Sequence, residues 1–164
     1  MYKRQVAGRV AAELARVDPA RKATFTSRLQ RFRSELAGLE ATATTVRRSA
    51  EGKGVAITEP VPLYLTAELG LVNRTPPAFS EAIEEGDDVA PAVLRQQLAL
   101  LTGHRVAVLA YNEQTTGATT EQVLAAARSA HVPVVGVRET LPDGQDYLQW
   151  MRHDLTALAA AVAR

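Results

Sequence analysis

Three glutamates stand just beyond the ends of short apolar runs, at Glu59, Glu113 and Glu139. Apolar runs of this kind are typical of buried strands, and ligands of open parallel sheets bind beyond the carboxyl ends of the strands. Oxygen ligands that converge from several strand ends suit a divalent cation. The sequence therefore predicts a candidate metal site at one sheet edge, with the three glutamates and Asn112 on its rim.

An ordinary structural role explains the same residues. Glutamates after strands often open a helix, where the helix dipole favours a negative charge. Glu113 lies in a polar turn, so exposure to solvent accounts for it without any ligand. The residues alone leave both interpretations open.

Other site chemistry finds little support in this chain. It has no cysteine, so disulfides and cysteine-based zinc sites are excluded. A phosphate-binding loop is not indicated, because the glycines around Lys53 precede a strand instead of following one. No serine occupies a G-x-S-x-G elbow. The histidines are widely separated and read as structural or surface residues, at His104, His131 and His153.

The elements that must position the glutamates alternate between strand and helix. Strands are predicted at 55–58, 105–110 and 133–137, with a very short one at 71–72. Strands that are apolar throughout are covered on both faces, and strands separated by crossover helices run parallel. The expected fold is therefore a three-layer α/β domain with a mostly parallel sheet. Predicted helices around these strands cover 60–69, 78–85, 91–101, 119–130 and 145–163.

A long helix precedes this α/β region. Asp18 and Pro19 indicate a helix start, and apolar residues then recur at steps of four and three over 19–50. Such a seam fits either a coiled coil or a helix that lies along a domain. Because the seam ends where the α/β region begins, we expect an intramolecular partner and a monomeric chain. Two segments follow, a helical one at 1–53 and an α/β lobe at 54–164.

The charge distribution does not indicate nucleic acid. Residues 1–53 carry 12 basic against 5 acidic side chains, and the remaining residues carry 7 against 13. The basic residues are spread around the helices without an accompanying aromatic or glycine-rich element. We interpret them as solvated helix faces. No stretch approaches the roughly 20 apolar residues of a membrane span, and no signal-peptide core follows the basic start.

Several sequence motifs resemble the zinc- and manganese-type solute-binding proteins of bacterial ABC importers. The resemblance covers nearly the whole chain after residue 5, and its specificity comes from the motifs taken together. They are DPARKATF at 18–25, TEPVPLYLT at 58–66, SEAIEEGDD at 80–88, AVLAYNEQT at 107–115, VPVVGVRETLPDG at 132–144 and DYLQWM at 146–151.

The resemblance implies a protein of two α/β lobes joined by a rigid helix, with the metal held between the lobes. This chain would supply the interlobe helix and the carboxyl-terminal lobe. Carried over, Glu59 and Glu139 are the metal ligands of this lobe, although the family usually has aspartate at the second position. The amino-terminal lobe, with its two histidines, signal sequence and lipid-anchor cysteine, is then expected outside this chain.

The expected function is therefore capture of a divalent ion, manganese or zinc, and its delivery to ABC permease subunits in the membrane. The full-length protein would be extracytoplasmic, either periplasmic or a cell-surface lipoprotein. No catalytic residue is predicted. The alternative is a small α/β enzyme that uses the acidic rim with a bound metal ion.

Overall fold

The structure is a computed structural model that describes residues 2–163, apart from the side chain of Tyr2. It divides into two compact units, one up to Thr42 and the other from Ala43. The helices are α1 (Tyr2–Val17), α2 (Lys22–Ala50), α3 (Leu63–Glu68), α4 (Pro77–Glu85), α5 (Pro91–Thr102), α6 (Ala118–Ser129) and α7 (Tyr147–Val162). The strands are β1 (Gly54–Ile57), β2 (Val72–Asn73), β3 (Val108–Asn112) and β4 (Val134–Val137).

The first unit consists of α1, a short 3-10 turn and most of α2. Asp18 caps that turn by accepting a hydrogen bond from the Arg21 backbone at 3.2 Å, as its position before Pro19 predicts. An ion pair joins Arg4 of α1 to Glu40 of α2. Four apolar side chains of α1 are exposed and recur at steps of four or three residues along the helix, at Val6, Val10, Leu14 and Val17.

The second unit is built on a four-stranded parallel sheet in the order β2-β1-β3-β4. Every residue of β1 and β3 is buried, so both faces of the central strands are covered. Ala56, Leu109 and Tyr111 form one core with Phe79 of α4 and Val123 of α6. The sheet flanked by helices, preceded by a long helix, confirms the predicted fold class.

The start of α3 and the end of β3 differ from the predicted boundaries. Helix α3 begins only after Pro62, because a proline disfavours the helical conformation of the residue before it, here Val61. Strand β3 extends to Asn112, two residues beyond the predicted end, because Asn112 still pairs with Val137. The boundary between the two units falls inside α2, earlier than the boundary expected at residue 53.

The last helix carries a buried acid. Asp146 caps α7 by accepting a hydrogen bond from the Gln149 backbone at 2.8 Å. Further along α7, Asp154 is buried. Burial raises the pKa of the Asp154 carboxyl to about 6, while His153 lowers it and Glu113 raises it. None of the helices in residues 2–163 combines the length and apolarity needed to cross a lipid bilayer.

Replacing Asp154 with asparagine should stabilise the second unit at pH 7.5 and change little at pH 4. The folded-state pKa of Asp154 lies above the unfolded value of 3.8, so stability falls as the pH rises from about 4 to about 6. The full shift corresponds to at most about 3 kcal/mol, and we expect a gain of about 1–3 kcal/mol in the D154N variant.

Urea unfolding followed by the fluorescence of Trp150, the only tryptophan, measures this difference. Asp143→Asn provides the control, because Asp143 is an exposed loop residue. A D154N protein that is less stable than the parent at pH 7.5, with no such loss at pH 4, would contradict the assignment.

Candidate metal centre

Three strand ends meet at one edge of the parallel sheet. Ile57 of β1 pairs with Ala110 of β3, and Asn112 of β3 pairs with Val137 of β4. Glu59 lies two residues beyond β1, Asn112 is the last residue of β3, and Glu139 lies two residues beyond β4. The register therefore brings these three side chains to the same edge.

The side-chain amide of Asn112 joins the two glutamates directly. Its Nδ2 donates hydrogen bonds to Glu59 Oε2 and, at 2.7 Å, to Glu139 Oε1. It also lies 3.3 Å from Thr115 Oγ1. Because both carboxylates bond to one nitrogen, the two oxygens lie no further apart than two hydrogen bonds, about 6 Å. Glu59 and Glu139 are thus neighbours, as the sequence predicts.

The two carboxylates differ in their exposure to solvent. Glu59 is only 4% exposed and Asn112 is fully buried, whereas Glu139 faces solvent. The salt bridges found within residues 2–163 involve other acids, so neither glutamate is paired with lysine or arginine there. One neutral amide is therefore the shared hydrogen-bond partner of the two carboxylates.

Two residues that the sequence analysis did not single out hold this arrangement in place. Thr58 Oγ1 accepts a hydrogen bond from the Asn112 backbone at 2.8 Å, which fixes the end of β1 against β3. Gln114 Oε1 accepts from the backbone of Glu139 at 2.7 Å and of Thr140 at 3.0 Å. Gln114 therefore ties the segment that carries Glu139 to the turn after Asn112. Only their position in polar strand ends could have suggested these roles.

Glu113 lies away from this pair. Successive side chains of a strand point to opposite faces, and Glu113 follows Asn112 directly. Its side chain lies against Gly136, where a Cβ atom would come within 2.1 Å of Glu113 Oε1. Glu113 Oε2 is 4.0 Å from Arg138 Nη1. The structure thus brings Asn112 to the predicted rim and turns Glu113 toward a separate cavity beside α7.

The histidines take no part in the strand-end cluster. His104 and His131 have positive φ angles of 51° and 56° in the turns after α5 and α6, and His153 is exposed on α7. Within the described part of the chain, no group of three or more histidine, cysteine, aspartate or glutamate side chains is placed to hold a metal ion. The strand-end cluster contributes two carboxylates, from Glu59 and Glu139.

Solved structures of metal-binding proteins have a similar fold. The laminin-binding protein Lmb of Streptococcus agalactiae, described as an adhesin with metal-transporting activity, is 21% identical with a TM-score of 0.71. The periplasmic zinc-binding protein TroA of Treponema pallidum is 16% identical with a TM-score of 0.69. FpvC of Pseudomonas aeruginosa, solved with Ni²⁺, is 20% identical with a TM-score of 0.65. At this identity the likeness establishes the fold alone.

The chain is shorter than these proteins. The matches cover 93% of this chain and 57% of Lmb, 96% and 59% of TroA, and 94% and 56% of FpvC. The chain therefore spans somewhat less than three fifths of the solved structures that it resembles. A comparison with curated protein sequences gave no significant match.

A family comparison assigns the sequence. The model of the family described as ZnuA, zinc-uptake complex component A, periplasmic, matches residues 2–161. This match extends over both the helical segment and the α/β unit, in agreement with the family resemblance of the motifs. The chain belongs to the ZnuA family of periplasmic zinc-uptake components.

Proposed function

We propose that this chain is the interlobe helix and carboxyl-terminal lobe of a solute-binding protein that serves a bacterial ABC importer of divalent metal ions. In this role Glu59 and Glu139 hold the ion on one side of a site between two lobes. The observation that carries the proposal is the convergence of both glutamates on Asn112 Nδ2, with no basic side chain paired to either within residues 2–163. Family membership supports it.

A divalent cation fits this arrangement better than the amide does. The Asn112 amide is a neutral donor with only a partial positive charge on its N–H groups, whereas a divalent metal ion neutralises both glutamate carboxylates. Metal–oxygen distances of about 2.0–2.2 Å are shorter than hydrogen bonds. The two carboxylates would therefore have to move slightly closer together to bind one metal ion than they do to share the Asn112 amide. Glu139 is exposed and can make that adjustment, while Glu59 is held in the buried part of the edge.

Two carboxylates are half of a ligand shell. Zinc takes about four ligands in proteins, and manganese accepts more. We therefore propose that a second lobe supplies the remaining ligands. The relatives, of which this chain covers 56–59%, support this proposal by their greater length. The exposed apolar side chains of α1, from Val6 to Val17, also suit coverage by further protein.

The choice between manganese and zinc follows from ligand type. Two oxygen ligands favour manganese, while histidines from a second lobe would favour zinc. Among the related structures, TroA is a zinc-binding protein and FpvC has been solved with both Mn²⁺ and Ni²⁺. We propose that the full-length protein works outside the cytoplasmic membrane, in the periplasm or as a surface lipoprotein. There it binds its ion without catalysis and delivers it to the permease.

Removing either glutamate should weaken metal binding by this chain. We expect Glu59→Gln and Glu139→Gln each to lower the Mn²⁺ affinity at least about tenfold, because each removes one of two formal charges from the site. Isothermal titration at pH 7.5 with Mn²⁺, repeated with Zn²⁺, measures the affinity. Glu68→Gln on α3 is the matched control, since Glu68 is exposed and lies outside the cluster. Wild-type affinity in either site variant would exclude that residue as a ligand.

Replacing Asn112 with aspartate should make the fold depend on metal. The Asn112→Asp substitution removes the shared hydrogen-bond donor and adds a third carboxylate, so repulsion should destabilise the metal-free protein by several kcal/mol. Saturating Mn²⁺ should then raise the melting temperature of N112D more than that of the parent. Asn112→Leu is the control, because it removes the donor without adding an oxygen ligand. An equal thermal shift for parent and N112D would argue against a cation at this position.

The affinity of the isolated chain should fall well below that of a full-length protein with both lobes. Completing the shell from two ligands to four or more should strengthen binding at least about 100-fold, close to 3 kcal/mol. Titrating Mn²⁺ and Zn²⁺ into both proteins under one set of conditions makes the comparison. Comparable metal affinities of the isolated chain and the full-length protein would contradict the proposal that this chain holds only half of the ligands.

A further inference from the structure

A second cavity lies beside β4 and α7, on the side of the sheet to which Glu113 turns. Its volume is about 440 Å³, within the range of small-molecule sites. Residues from the end of β3, from β4 and from α7 line it, among them Glu113, Gly136, Arg138, Trp150, His153 and Asp154. None of them is a proposed metal ligand, so the cavity stands apart from the proposed function.

Asp154 is the unusual member of this lining. It is 6% exposed, and within residues 2–163 its carboxylate has no hydrogen bond and no ion pair. An ionised carboxylate that is buried without a partner is costly, and a ligand that donates to it recovers part of that cost. Because Asp154 opens onto the cavity, such a ligand can reach it.

The other charged groups leave one net negative charge in the cavity. Glu113 and Arg138 face each other across 4.0 Å and largely offset one another. His153 is exposed on α7. The charge of Asp154 is therefore the uncompensated one, and it favours a cation over an anion.

The lining also selects the kind of cation. The described residues place no three histidine or acidic side chains together as a metal would need. The lining is mixed, and Trp150 and Ala157 supply an apolar part of the wall that can contact the carbon chain of a ligand. Aromatic rings are common partners of organic cations. One buried carboxylate beside a tryptophan matches a protonated amine or a guanidinium on a short carbon chain.

We propose that this cavity binds a small organic cation, with the ammonium or guanidinium group hydrogen-bonded to the Asp154 carboxylate. Glu113 also lines the cavity, where Arg138 offsets its charge. It can occupy this place because residue 136 is glycine, since a Cβ atom there would meet Glu113 Oε1 at 2.1 Å. The Trp150 side chain forms part of the wall beside the carbon chain.

The test uses Trp150 as its reporter, because the chain has no other tryptophan. Butylguanidinium and butylammonium are titrated at pH 7.5 while the indole N–H resonance and the fluorescence of Trp150 are followed. Butanamide, a neutral molecule of similar size, is the matched ligand. We expect saturable changes with both cations at millimolar concentration and at least tenfold weaker binding of butanamide.

Two variants separate Asp154 from general surface charge. Asp154→Asn should lower the affinity for both cations at least tenfold, whereas Asp143→Asn, in an exposed loop outside the lining, should leave it within twofold. Lowering the pH to 5 should weaken binding about tenfold, because Asp154 with a pKa of about 6 is then mostly protonated. His153→Gln should keep this pH response if Asp154 causes it and not the nearby imidazole.

Three results would overturn the proposal. Equal binding of butanamide and the cations would show that charge is irrelevant, and unchanged affinity in D154N would remove Asp154 from the site. No saturable response to either cation at about 50 mM, well above millimolar affinity, would mean that the cavity takes no such ligand.

Discussion

The parallel register of β1, β3 and β4 is the constraint on which the strand-end cluster depends. It sets the ends of three strands side by side, so that Glu59 and Glu139, far apart in sequence, both reach the amide of Asn112. A shift of one residue in β3 would turn Asn112 to the opposite face and put Glu113 between the two glutamates. Three carboxylates would then share one edge without a donor. The register thus decides which side chains face each other and also whether their charges can be tolerated.

This edge is held by backbone and amide groups instead of ion pairs. Thr58 and Gln114 fix the strand ends through hydrogen bonds to backbone N–H groups, and no charged partner of Glu59 or Glu139 occurs in the described residues. Neutral supports of this kind position the carboxylates and leave their charge available. An arginine in place of Gln114 could not accept these backbone hydrogen bonds, and its charge would pair with Glu139 and weaken any attraction for a cation.

Much of this could be predicted from sequence because it depends on chain order and hydrophobic pattern. Apolar runs separated by helices imply parallel strands, and parallel strands imply that residues 59 and 139 come to one edge. The orientation of Glu113 could not be predicted in the same way. It depends on the exact end of β3, which extends to Asn112, and on the space above Gly136. The role of Gln114 was equally hidden, since a glutamine in a polar turn carries no pattern that distinguishes a support from a surface residue.

The last residue of β3 and the residue after it therefore face two opposite sides of the sheet. Asn112 gathers the acids of the proposed metal centre, and Glu113 joins the cavity that Asp154 enters from α7. The strand end links the two sites covalently, yet the sheet separates their charges. The two sites also differ in which negative charges lack a basic partner. At the metal centre two acids share one neutral donor, whereas in the cavity Arg138 offsets Glu113 and leaves Asp154 alone. A doubly charged ion would neutralise the two glutamates of the proposed metal centre. A singly charged organic group would neutralise the one uncompensated carboxylate of the cavity.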